Sequence, residues 1–108
     1  GVMLMIARVI NGKRYDPSTA ESVASAHSVG LACNDFGWWE ESLYRKRTGE
    51  FFLHGSGGAR TRYARSAGQN AWTGGEDVIP LTDAEARDWA EKHCDADEYE
   101  SIFGPAPE

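Results

Sequence analysis

The sequence predicts an α+β fold, a single small domain in which a central antiparallel sheet is packed with helices. Three observations predict it. Between about residues 39 and 54, two β-rich runs flank Thr48-Gly49-Glu50, a hairpin pattern in which Gly49 is free to take positive φ. Asp77-Val78-Ile79-Pro80-Leu81 reads as a further short strand, and Pro80 suits an edge or a strand end. Thr82-Asp83-Ala84-Glu85 is a capping box that opens a helix, followed by a second helix start at Asp95-Ala96-Asp97-Glu98.

The hairpin is the expected centre. Successive side chains on a strand point to opposite faces, so Trp39, Leu43, Phe51 and Leu53 share one side. Tyr44, Phe52 and His54 lie on the other, alongside Trp38. Large residues on both faces require cover on both, and the flanking segments must supply it.

In chain order, Met5 to Ile10 is a first strand closed by the turn pair Asn11-Gly12, with Lys13-Arg14-Tyr15 returning as a partner. Asp16 and Pro17 look like a helix start, predicting a helix over about 17–27 with Ala20, Val23, Ala24 and His27 as a weak apolar stripe. Residues 28–37 read as a loop. Gly55-Ser56-Gly57-Gly58 has the glycines of a phosphate loop but not its GxxxxGK[ST] spacing, so it reads as a flexible turn. Residues 66–75 are turn-rich, with Trp72 expected against the core. The capping box predicts a helix over about 83–94, with Ala86, Trp89, Ala90 and His93 at helical spacing. A last helix over about 96–103 buries Tyr99, Ile102 and Phe103, and Gly104 ends it.

With 108 residues and 41% hydrophobic content, the chain can bury one core without obligatory staples. Met3 to Ile6 is too short for a signal-peptide core and lacks a charged start, which predicts a cytoplasmic protein. Gly1 is no initiator, so residues 1–4 are expected to be a tag remnant or frayed start, and residues 104–108 a tail. Cys33 and Cys94 are expected to be reduced packing thiols. Together with His54 and His93 they lack CxxC or HxxxH spacing, and no metal or cofactor is expected.

Charge divides the chain sharply. Residues 1–75 carry nine cations against six carboxylates, whereas residues 76–108 carry two against eleven, for a net charge of −6. Two readings of the acidic segment stay open. It is either a pair of solvated helices or a face that docks in a basic groove built for nucleic acid. The candidate contact residues on that face are Asp88, Glu91, Asp97, Glu98 and Glu100. A second candidate surface is basic: Arg45, Lys46, Arg47, Arg60, Arg62 and Arg65, with Tyr44 and Tyr63 nearby to stack on bases. No catalytic pattern emerges. There is no GxSxG or HExxH, and adjacent Glu40 and Glu41 face opposite sides of a strand, which rules them out as an acid/base pair.

Several runs carry a resemblance: NGKRYD at 11–16 with TAE at 19–21, ExLYRKRTGEFFLHGxGG at 41–58, and TRYA at 61–64. GGExxIPLT at 74–82, ARxWAE at 86–91 and DADEYExIFG at 95–104 extend it over nearly the whole chain. Through them the sequence resembles a family of small bacterial mobile-element and prophage proteins that includes anti-CRISPR proteins. The resemblance carries over no catalytic or binding residues. It implies a non-enzymatic, stoichiometric inhibitor that binds a CRISPR-Cas effector and blocks target DNA binding or cleavage, with an acidic, DNA-mimicking face as the means. Such effectors hold nucleic acid in basic channels. No direct nucleic-acid contact is then expected. The alternatives are a nucleic-acid-binding accessory protein using the Arg/Tyr surface, and a structural domain of a mobile element.

Overall fold

The computed structural model describes residues 7–30, 36–66, 68 and 71–107. Its centre is a four-stranded antiparallel sheet of order β3-β4-β5-β8: β3 Glu21–His27, β4 Trp39–Arg45, β5 Phe51–Gly57 and β8 Gly75–Leu81. Two smaller ribbons flank it, β1 Arg8–Ile10 with β2 Lys13–Tyr15, and β6 Arg65–Ser66 with β7 Trp72–Thr73. Two helices close the chain, α1 Asp83–His93 and α2 Ala96–Phe103. The fold is of the α+β class.

The β4–β5 hairpin is central in space as well. Lys46 donates its N–H to the Glu50 carbonyl, Gly49 donates to the Lys46 carbonyl, and Gly49 takes φ +92°. Register then sets Leu43 opposite Leu53 and Tyr44 opposite Phe52, separating the two faces. On one face Leu43, Phe51 and Leu53 pack with Ala86, Trp89, Ala90 and Ile102 of the helices. On the other, Tyr44, Phe52 and Val78 pack with Tyr15 of the β1–β2 hairpin. That hairpin turns at Asn11 and Gly12, both at positive φ, as a two-residue turn of this twist requires. Met5 and Ile6, the expected start of β1, lie outside the described residues, as do residues 1–4.

The helix expected over 17–27 is not there. Asp16 and Pro17 open a turn instead: the Ser18 N–H and hydroxyl both donate to Asp16 Oδ1, and the Thr19 N–H donates to the Asp16 carbonyl. Residues 21–27 then run as β3 along β4, with a bulge between Ser22 and Ala24. The physical reason is long-range. The outer edge of β4 leaves a row of unpaired backbone groups that a strand satisfies and a helix does not. Ala24 and Ala26 are small enough to lie beneath the helices. Pro80 sits in β8, an edge strand.

Two further expectations are corrected. Residues 55–57 are not a turn but the end of β5, and the chain turns at 58–61, where Thr61 donates its N–H to the Gly58 carbonyl. Trp72 is not tucked against the core: it lies on the short β6–β7 ribbon at 64% exposure. A two-residue strand pair has too little apolar surface of its own to cover an indole.

Both helices start on reciprocal caps. Thr82 accepts from the Glu85 N–H while Glu85 accepts from the Thr82 N–H, and Asp95 and Glu98 do the same for α2. Arg45 donates to the Ile102 carbonyl, tying the end of α2 back to the sheet.

Candidate interaction surfaces

The acidic candidates divide by what they do locally. Glu98 belongs to the α2 capping box, and the half-buried Glu100 accepts the Ala106 N–H at 3.1 Å. Asp88, Glu91 and Asp97 are exposed and take part in no ion pair or side-chain hydrogen bond among the described residues. Asp88 and Glu91 are three apart on α1 and so are neighbours on its surface. Arg87 is engaged elsewhere, with Asp83 at 2.8 Å and over the Phe103 ring at 4.7 Å. Glu85 is held below the usual carboxylate range, first by the Thr82 backbone N–H and then by the Thr82 side chain.

Apart from Arg45, which is tied to the end of α2, the basic candidates fall in three places. Lys46 and Arg47 share a pocket with Arg14 beside the β4–β5 turn. Arg60 and Arg62 line a cleft over β4, and Arg65 lies in β6, donating to the Glu76 carbonyl. Several are already engaged. Arg45 pairs with Glu21, Lys46 lies 3.8 Å from Glu50 and 3.7 Å over the Tyr15 ring, and Arg60 lies over Phe36. Tyr63, expected as an exposed stacking partner, is buried.

Where Tyr63 goes reveals a centre that residue patterns alone did not mark. Glu41 is only 6% exposed on the helix-covered face of β4. The Tyr63 hydroxyl donates to its Oε2, and the Trp89 indole N–H donates to its Oε1 at 2.9 Å. The Arg62 guanidinium stands 3.6 Å from Oε2. One carboxylate thus joins the sheet, the 58–64 segment and α1. Burial, and after it the hydrogen bond to Glu41 and the Glu41 charge, pushes the Tyr63 phenol far above its ordinary range, so Tyr63 remains a donor. The glycines of β5 make room: a Cβ on Gly55 would collide with the Tyr63 ring, and one on Gly57 with Thr61. The signal available in the sequence was that alternation of glycines along one strand face, which marks another segment crossing closely.

The cleft above this carboxylate, about 240 Å³, is lined by Trp39, Glu41, Arg60, Thr61, Arg62 and Tyr63, with Gly37 at its rim. Its only carboxylate oxygens already accept from Tyr63 and Trp89, so Glu41 acts as an acceptor held in place by donors and has no free role as a base. On the opposite face His54 is 3% exposed with its Nε2 free of hydrogen bonds among the described residues, 3.6 Å from Glu76. Cys94 is half-buried, its thiol pushed up by burial and then by Glu98 and Asp95, while Cys33 lies outside the described residues. Among the described residues no three His, Cys, Asp or Glu side chains converge as a metal site, and no helix is long and apolar enough to cross a membrane.

No protein-family model, curated protein or solved structure matches this chain.

Proposed function

We propose that the protein acts by binding, as a stoichiometric inhibitor of a CRISPR-Cas effector in the cytoplasm of a host bacterial cell. Its α1–α2 carboxylates would be presented to lysines and arginines that otherwise hold nucleic acid. The reading rests on the sequence resemblance for the partner and on one structural observation for the surface. The fold engages most of its cations internally, whereas Asp88, Glu91 and Asp97 remain exposed and unpaired among the described residues. Exposed carboxylates contribute about 1 kcal/mol or less each to folding. A desolvated interfacial charge pair can be worth several times that in binding, and an acidic surface steers association with a basic channel. The accessory-protein alternative is weakened because Arg45, Arg62 and Arg65 are already engaged with Glu21, Glu41 and the Glu76 carbonyl.

The test is a target-DNA binding and cleavage assay with purified effectors, titrated with the unmodified protein and with D88N/E91Q/D97N. The triple variant should melt within a few degrees of the parent, lose most of its inhibition, and show a weaker salt dependence of association. Undiminished inhibition by a folded triple variant overturns the acidic-face mechanism. Failure of the unmodified protein to inhibit or bind any effector overturns the function itself.

A further inference from the structure

The pocket beside the β4–β5 turn is built differently from the rest of the surface. It encloses about 210 Å³ and is lined by Arg14, Asp16, Thr19, Ala20, Lys46 and Arg47. Tyr15 is buried under the sheet, so its neighbour Arg14, on the other side of β2, is turned outward. The buried Pro17 and the Asp16 turn bring Thr19 and Ala20 round to the same hollow. Lys46 has its backbone fixed at both N–H and carbonyl by the hairpin turn. Its side chain, only 15% exposed, is braced on the Tyr15 ring.

Three cations therefore line one concave site against one lining carboxylate, and that carboxylate is already bonded. Asp16 Oδ1 accepts from the Ser18 N–H and hydroxyl, and its Oδ2 takes one nitrogen of Arg14 at 2.8 Å. A guanidinium has five N–H donors, so Arg14 keeps others for a ligand. Arg47 is exposed and joins no ion pair among the described residues. The Thr19 hydroxyl makes only a long bond, 3.3 Å, to the Asp16 carbonyl and can turn to a better acceptor. Two guanidinium forks, an ammonium braced by an aromatic ring and a hydroxyl form a donor set suited to tetrahedral oxyanions. Glu50, 3.8 Å from the Lys46 ammonium, is itself paired with Lys13 at 3.3 Å, so the lining side chains keep a surplus of two positive charges, which matches a dianion.

We propose that this pocket is a phosphate-binding site that takes a phosphate monoester, with Arg14 and Arg47 as its forks, Lys46 as its point charge and Thr19 as a neutral donor. The phosphate is that of a free nucleotide or of a phosphorylated nucleic-acid end. The site is independent of the acidic helices and needs neither a metal ion nor a covalent step.

The experiment titrates the full chain at low salt with inorganic phosphate, adenosine 5′-monophosphate and adenosine. Short oligonucleotides with and without a 5′-phosphate complete the series, read by calorimetry and by amide shifts. Saturable single-site binding of the phosphorylated ligands is expected, with none of adenosine. R14Q and R47Q should each weaken it roughly tenfold or more, since each removes a charge-assisted pair. Both residues are exposed, so the variants should melt like the parent. R60Q, in the separate cleft over Glu41, should leave the affinity unchanged. Affinity should fall as pH drops through about 6, where the monoester loses its second charge. A phosphorylated oligonucleotide binding more tightly than the mononucleotide assigns the site to nucleic-acid ends, and equal affinity assigns it to small phosphates. Absence of saturation overturns the proposal. So does R60Q weakening binding as much as R14Q and R47Q, which would reduce the effect to general charge.

Discussion

Glu41 and His54 are buried on opposite faces of the central sheet, and the two faces treat them in opposite ways. On the helix-covered face Glu41 receives donors from Tyr63 and Trp89 and has Arg62 alongside. On the hairpin-covered face His54 is buried as deeply, yet its Nε2 has no hydrogen-bond partner among the described residues and Glu76 stays 3.6 Å away. The difference teaches that burial of a titratable group does not by itself mark structural importance. The number of elements that converge on the group does. Glu41 is where three parts of the chain meet, whereas His54 fills space among Tyr44 and Val78 on its own sheet.

That contrast can be broken most directly at Glu41. Removing its carboxylate in Glu41→Ala orphans two buried donors and leaves a void, at about 1–3 kcal/mol for each unsatisfied group. We expect a total loss of about 3–5 kcal/mol by chemical denaturation, together with exposure of the 58–64 segment to protease. A loss under about 1 kcal/mol would show that the carboxylate joins nothing of consequence.

Next in size is Tyr63→Phe, which deletes one donor to a charged acceptor and should cost about 1.5–3 kcal/mol. It also has a signature in pH. The folded-state pKa of Tyr63 is raised above the ordinary value of about 10. Its contribution is therefore fully present below pH 10 and is lost as pH rises above that value, because only the unfolded state then releases the proton. Denaturation midpoints measured from pH 8 to 11 should fall less steeply in Tyr63→Phe than in the parent; parallel profiles would mean that the phenol is not held by Glu41.

The smallest effect should be at His54. Because its Nε2 gains nothing from burial, His54→Leu should be neutral or stabilising by up to about 1 kcal/mol. A loss of more than about 2 kcal/mol would mean that His54 and Glu76 form a working pair, and the two faces would then be alike.

What could be read from residues alone follows the reach of each interaction. The β4–β5 hairpin, the Asn11-Gly12 turn and the capping box at Thr82 depend on neighbours a few positions apart, and alternation along β4 and β5 correctly divided Leu43, Phe51 and Leu53 from Tyr44 and Phe52. The segment 21–27 was misread as helix because its deciding partner is the edge of β4, about twenty residues away, while its own apolar stripe is weak. Trp72 was expected inside because an indole usually is. Its ribbon, however, is a separate two-stranded sheet with too little apolar surface of its own to cover the ring. The Glu41 centre left only the alternating glycines of β5 as a local trace, since its donors Tyr63 and Trp89 lie 22 and 48 residues further along. The six basic candidates looked continuous only because sequence order hides that Lys46 and Arg47 turn towards Arg14 while Arg62 turns towards Glu41.

The outer strands of the sheet carry a consequence for how this protein meets others. An open strand edge is a template on which another chain can lay a further strand, and it is the usual seed of aggregation. Here neither edge is a clean template. Pro80 removes a ladder donor from β8, and the Arg65 guanidinium already occupies the Glu76 carbonyl on that strand. The other edge, β3, is distorted by its bulge and carries Glu21 and His27 at its two ends. Backbone zippering with a foreign strand is thereby disfavoured along both margins, which leaves recognition to side chains on the helices, in the pocket beside the β4–β5 turn and on the exposed indole of Trp72.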